Sequence, residues 1–182
     1  MRIYSTLFAG MARLLVPGVA AALVMALVTH AGAVTAPFGP VEAGPTLTAR
    51  TLADRIRQDG AQKTAEALTR DHEWPRVRRA VAAGWQNWIA TMPDLLPQAD
   101  QRTAQGLQRA LRQALPRSPG AVLAALDPKN GPLLGGQTIC RPDGMPATWR
   151  ARTTRAVRAV HDIHLINQGG DCLRALHAAP QG

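Results

Sequence analysis

The chain has 182 residues, of which 21 are lysine or arginine and 12 are aspartate or glutamate, so its net charge is +9. This length suits one compact domain and excludes architectures for large cofactors that need a longer chain, so we expect no cofactor. A basic balance concerns association and solubility rather than chemistry, and the charge by itself indicates no activity.

The first 33 residues have the features of a secretory signal peptide. Arg2 and Arg13 precede an apolar stretch at residues 14–28, and Ala31 and Ala33 then form an A-x-A cleavage signal. The apolar stretch is shorter than the roughly 20 residues that a membrane-spanning helix needs. We therefore expect cleavage after Ala33, a periplasmic or secreted product, and no stable membrane span once the signal peptide is removed.

Residues 34–46 form a predicted flexible arm, rich in proline and glycine, and residues 47–182 form a predicted single helical domain. Cleavage removes two arginines and no acidic residue, so the mature charge is +7. All but two of the mature basic residues are arginines, which bind carboxylate and phosphate through two parallel donors. An anionic surface is therefore a candidate partner, although most such arginines simply face solvent.

Apolar residues recur at helical spacing along the domain, starting with a helix between a Thr48 cap and a Gly60 stop. The clearest helix covers residues 99–116, with leucines on one side and arginines, Arg112 among them, on the opposite one. No alternation of apolar and polar residues indicates a strand. The sequence predicts an all-α fold, a compact bundle or short stack of about seven to eight short helices.

Two further predictions concern helix ends in the C-terminal half. Ser118 is a predicted N-cap for a helix that begins at Pro119. The pair Gly169 and Gly170 predicts an interruption of helical structure, after which Asp171 starts a last short helix.

Cys140 and Cys172 are the only cysteines of the chain. In an exported protein such a pair is expected to form one disulfide, which here would tie the last helix to the glycine-rich turn at residues 130–139. The alternative is a cysteine nucleophile, because residues 138–141 resemble the cysteine contexts of sortases and L,D-transpeptidases. That thiolate would need a nearby histidine or cation, and only His72 precedes Cys140 in the mature chain.

Glu73 is the second candidate for an enzymatic role. It stands beside Trp74, and a neighbouring aromatic ring can raise the pKa of a carboxyl group, as in glycoside hydrolases. The sequence identifies no second carboxylate across a cleft. A peptidoglycan enzyme that uses Cys140 or Glu73 is therefore the alternative function, and we assign no catalytic residue.

His161 and His164 are spaced so that they could share one helix face and a metal ion, with Asp162 beside them. A metal site needs a third ligand, and the spacing matches no established motif. We therefore predict two boundary histidines and no metal site.

Tryptophans supply most of the mature aromatic surface. At helical spacing they are expected in the core, but an exposed one could anchor a protein partner. Arginines on a later helix add a second candidate surface, and no specific nucleic acid is expected because a stacking platform is missing. The candidate binding surface comprises Trp74, Trp85, Trp88, Arg152, Arg155 and Arg158.

Several segments together resemble a group of exported proteins of Gram-negative bacteria to which no activity is assigned. The segments are residues 59–68, 74–89 and 107–126 together with Cys140 and Cys172, and the most specific part is residues 114–123. The resemblance implies export and a disulfide and transfers no site. We expect a non-catalytic protein of the cell envelope that binds another envelope protein as an accessory, inhibitor or immunity-type partner.

Overall fold

The computed structural model describes residues 46–126 and 128–178. The predicted signal peptide, and the predicted arm except for its last residue, lie outside the described residues. All regular elements of the described part are helices, which confirms the all-α prediction. They are α1 (Ala49–Asp59), α2 (Ala61–Arg70), α3 (Trp74–Ala82), α4 (Gln86–Ile89), α5 (Met92–Leu95), α6 (Gln101–Ala114), α7 (Pro119–Ala125), α8 (Gly136–Ile139), α9 (Ala147–Arg158) and α10 (Ile166–His177).

Short 3-10 turns complete the helical segments. One of them, Leu96–Gln98, continues α5 directly, so that these residues form one helical segment of the same length as α7. Three others cover Pro128–Asn130, Pro132–Leu134 and Ile163–Leu165. The number of helices therefore agrees with the prediction of about seven to eight short ones, with α4 and α8 as additional single turns.

The sequence sets several helix ends locally. Thr48 and Thr51 form a capping box at the start of α1, in which each side chain accepts a hydrogen bond from the backbone N–H of the other residue. Gly60 follows α1 with φ +86°, a conformation that favours glycine. At the start of α6, Asp100 accepts a hydrogen bond from the backbone N–H of Thr103, which lowers the pKa of the Asp100 carboxyl.

Ser118 is the N-cap residue of α7 and Pro119 is its first residue, as predicted, but the Ser118 side chain makes no capping hydrogen bond to the helix. Its hydroxyl donates instead to the carbonyl oxygen of Gly84, at 2.6 Å. Gly84 has φ +86°, and a Cβ atom there would lie 2.8 Å from the Ser118 hydroxyl oxygen. The loop before α7 is thereby tied to the turn after α3, a tertiary contact that overrides the local capping preference.

The prediction that Gly169 and Gly170 interrupt the helical structure is wrong. Helix α10 continues through both glycines, so Asp171 lies inside the helix and does not start it. Helix α10 is in van der Waals contact with α8, where a Cβ atom on Gly136 would lie 3.5 Å from the Cβ of Asp171. The packing of α10 against neighbouring helices offsets the free-energy cost of each glycine in a helix, which is about 1 kcal/mol relative to alanine.

One hydrophobic core connects the described helices. Helices α3 and α6 make the most extensive contact, α1 packs on α2, α7 contacts α4, α6, α9 and α10, and both α8 and α9 pack on α10. Among the described residues, no helix is both long enough and apolar enough to cross a membrane. The largest fully buried side chains include Leu52, Leu68, Ile89, Met92, Leu107, Leu111, Leu123 and Ile139.

The predicted disulfide is present. Cys140, at the end of α8, and Cys172, in α10, are joined by an S–S bond of 2.04 Å, with 5.2 Å between their Cα atoms. Both residues are fully buried. The bond closes a loop with a sequence separation of 32 residues, which restricts the unfolded chain more than the folded one.

Replacement of both Cys140 and Cys172 by alanine is expected to lower the free energy of unfolding by about 3.7 kcal/mol, the chain-entropy value for a loop of this length. Urea denaturation followed by circular dichroism measures the loss. Reduced wild-type protein serves as the control and should unfold at nearly the same urea concentration as the variant. A loss below about 1 kcal/mol would contradict this account of the bond.

Candidate functional site

The residues of the two enzymatic alternatives are engaged in structural contacts. Cys140 has no thiol group, because its sulfur is bonded to that of Cys172. Glu73 lies immediately before α3, where its Oε2 atom is 3.4 Å from Nη1 of Arg55. Trp74 beside it is only 6% exposed, and its indole N–H donates to the hydroxyl of Thr69.

His161 and His164 are both exposed and lie in the connection between α9 and α10. The carboxylate of Asp162 accepts a hydrogen bond from the backbone N–H of His164, at 2.9 Å, and so caps the following 3-10 turn. Within residues 46–126 and 128–178, no group of three histidine, cysteine, aspartate or glutamate side chains has the arrangement of a metal site.

Arg112, on the side of α6 predicted to lie opposite the leucines, is half-buried and has a structural role. Its Nε and Nη2 atoms donate to the carbonyl oxygen of Thr138 at 3.2 and 2.6 Å, and Nη1 donates to the carbonyl oxygen of Asp143 at 3.2 Å. Burial lowers the pKa of Arg112, Asp143 raises it, and Arg141 lowers it further. The guanidinium thus joins α6 to the end of α8 and the loop beyond.

A second set of arginines lines three adjoining concavities, which we call the arginine groove. The central concavity, of about 300 Å³, lies between α3 and α6 and is lined by Arg78, Arg79 and Arg109. Because these side chains come from two helices that pack along each other, the α3–α6 contact holds them in one place.

Each of the other two concavities shares a lining residue with the central one. One, of about 500 Å³, shares Arg79 with the centre and adds Arg76 and the side chains of Leu47, Trp85 and Trp88. The other, of about 300 Å³, shares Gln113 with the centre and is further lined by Pro116, Arg117, Met145, Pro146, Trp149 and Arg152.

The arginine groove carries no compensating negative charge. None of the residues that line its three parts is acidic. In the described part of the chain, the ion pairs involve Arg55, Arg57, Arg70, Arg141 and Arg174 and none of the six groove arginines. Arg117 is partly engaged, since its Nη1 donates to the carbonyl oxygens of Ala82 and Gln113.

The structure brings together some of the residues of the candidate binding surface. Trp85 is 60% exposed and lines the groove, contrary to the expectation that the tryptophans are core residues. Trp88 is buried but lines the same concavity, and Arg152 lines the concavity that shares Gln113 with the centre. Trp74 is a core residue and does not line the groove.

Arg155 and Arg158 are exposed in the last turn of α9, where positive charge offsets the helix dipole, and they line none of the three concavities. The sequence reasoning missed the central arginines of α3 and α6. Two signals were available: Arg76 and Arg79 are three residues apart on one helix face, and Gly106 interrupts the otherwise strong helix formers of α6.

Comparison of the chain with models of protein families, with curated proteins and with solved structures finds no significant match. The resemblance to exported envelope proteins therefore stays a prediction from the sequence. The candidate site rests on the geometry and charge of the arginine groove.

Substitution of Arg112 by alanine is expected to lower the free energy of unfolding by about 2 to 3 kcal/mol, because two carbonyl groups lose a charged donor. Arg109→Ala on the same helix is the matched control, and its effect should stay within about 0.5 kcal/mol, since Arg109 is exposed. Urea denaturation of both variants makes the comparison. Equal losses in the two variants would contradict the structural role of Arg112.

Proposed function

We propose that the protein is an exported, non-catalytic protein of the bacterial cell envelope that binds another envelope protein through the arginine groove. The observation that carries the proposal is that six arginines and no acidic residue line the three adjoining concavities. A cleft lined by charge of one sign focuses the electrostatic potential and attracts ligands of the opposite sign. Arginine favours carboxylates, which it binds through two parallel hydrogen bonds.

The shape and lining of the groove favour a protein segment over other anions. An extended or helical segment can lie along the open concavity between α3 and α6. The apolar side chains of Leu47, Trp85 and Met145 line the same concavities as the arginines and suit a ligand that combines acidic with apolar side chains. Single-stranded nucleic acid prefers rows of exposed aromatic residues, and Trp85 is the only exposed tryptophan.

Two further observations support the other parts of the proposal. The disulfide between Cys140 and Cys172 removes the candidate nucleophile, and it is a bond that persists in oxidising compartments such as the periplasm. Glu73 is ion-paired with Arg55, an arrangement suited to holding the start of α3 in place. The basic, apolar and A-x-A parts of residues 1–33 favour export.

Export is tested by expressing the full chain in a Gram-negative host and fractionating the cells. The product is expected in the periplasmic or secreted fraction, shortened by residues 1–33, with both cysteines resistant to alkylation until a reductant is added. Intact mass spectrometry gives the cleavage site and the oxidation state. A full-length product that remains in the cytoplasm would overturn this part of the proposal.

Binding is tested with a fluorescent poly-glutamate peptide and fluorescence anisotropy. The double variant Arg78→Glu, Arg109→Glu should bind at least about tenfold more weakly than the wild type, because two carboxylate contacts are lost. The matched control is Arg155→Glu, Arg158→Glu, which changes the net charge equally but lies outside the groove. It should stay within about threefold of the wild type.

Three outcomes would oppose the groove as the binding site. These are equal losses in the two double variants, absence of salt-dependent binding to the peptide, and tighter binding to phosphatidylglycerol vesicles than to the peptide. The last result would identify the protein as a membrane-surface binder.

A further inference from the structure

We propose that the centre of the arginine groove is a preformed carboxylate site, in which Gly106 allows Arg78 to lie across α6, and that the concavity at Trp85 accepts an apolar side chain of the same ligand. The recognised ligand is then a protein segment in which an acidic residue stands beside a large apolar one. This inference rests on the proposed function and specifies its ligand.

Gly106 and Arg78 are in close contact. A Cβ atom built on Gly106 would lie 2.9 Å from Cδ of Arg78 and 3.1 Å from its Nη1. Both distances are shorter than ordinary van der Waals contacts, so the Arg78 side chain occupies the space that any other residue at position 106 would fill. The arginine therefore lies directly on the surface of α6.

The helix propensity of the residues in α6 does not explain a glycine at position 106. Glycine is one of the least favourable residues in a helix interior, and Gly106 is near the middle of the helix. At two other buried positions of α6, 104 and 110, the small residue is alanine and not glycine. Alanine at position 106 would favour the helix more than glycine does. We therefore attribute the glycine to the space that the Arg78 side chain needs.

Arg78 is held by packing but makes no polar contact. It is half-buried, and its guanidinium donates no hydrogen bond and forms no ion pair within the described residues. Arg79 and Arg109 line the same concavity, also without an acidic neighbour. A guanidinium whose side-chain freedom is already restricted loses less entropy when it binds, so its free donors suit a planar carboxylate.

The adjoining concavity supplies the apolar part of the site. Its volume of about 500 Å³ is sufficient for a large side chain, and its walls include Leu47, Ala80, Ala83 and the exposed ring of Trp85. It shares Arg79 with the carboxylate site, which places the two ligand side chains next to each other. An exposed tryptophan beside arginines is typical of the residues that dominate protein interfaces.

The experiment uses three tryptophan-free synthetic peptides: one with repeated Glu-Leu pairs, one with glutamine in place of glutamate, and one with serine in place of leucine. The wild type should bind the Glu-Leu peptide, and should bind the glutamine and serine peptides at least about tenfold more weakly. Binding of the Glu-Leu peptide should also shift the emission of Trp85 to shorter wavelength, because the ring becomes buried.

Gly106→Ala separates positioning from stability. The added methyl group moves Arg78, so affinity for the Glu-Leu peptide should fall about tenfold, while the melting temperature stays equal or rises because alanine favours the helix. Arg78→Lys is the second variant, since it keeps the charge but lacks the planar pair of donors, and it should show a similar loss. Trp85→Ala should weaken binding of the Glu-Leu peptide and leave the serine peptide unaffected.

The outcomes distinguish this inference from the proposed function. The double variant Arg78→Glu, Arg109→Glu tests the proposed function, and the variants Gly106→Ala, Arg78→Lys and Trp85→Ala test the inference. If only the double variant loses binding, the inference is overturned and the proposed function stands. A Gly106→Ala variant that loses stability and affinity together, while Arg78→Lys binds normally, would assign Gly106 a structural role and also overturn it. Wild-type binding in every variant would reject both.

Discussion

The covalent bond between Cys140 and Cys172 determines how the C-terminal half of the protein is held. Helix α8 has only four residues, and a single turn is not stable alone in water. Two constraints fix it: the disulfide joins its end to α10, and Arg112 of α6 donates hydrogen bonds to the carbonyl oxygen of Thr138 within it. The glycine-rich turn before Cys140 is therefore an anchor between α6 and α10, with Gly136 close against α10.

Arginine serves two purposes in this protein. Arg112 and Arg150 donate to backbone carbonyl groups, at the end of α8 and at the end of α10 respectively, and so stabilise helix ends. The groove arginines have no acidic partner among the described residues. Four of the five ion pairs that those residues form join an acid to an arginine at most three positions away, as in the pair of Asp54 and Arg57. The concavity between α3 and α6 is lined by three arginines and no acidic residue.

The α3–α6 contact links the fold to the proposed binding site. The two helices make the most extensive helix contact of the described residues, and Gly106 leaves room for Arg78 to lie on the surface of α6. The turn after α3 is held by the Ser118 hydroxyl, which fixes the approach to Trp85. Among the six groove arginines, Arg78 is half-buried and is positioned by its contact with Gly106, whereas the other five are exposed.

The sequence by itself determined the all-α class, the ends of α1 at Thr48 and Gly60, and the pairing of the two cysteines, because these features depend on local hydrogen bonding or on there being only two sulfur atoms. Only the tertiary structure decided that α10 continues through Gly169 and Gly170 and that the arginines of α3 and α6 form one groove. Residues about thirty positions apart meet there through the packing of two helices. Periodicity along the chain gives the buried side of each helix, but it does not specify which other helix covers that side.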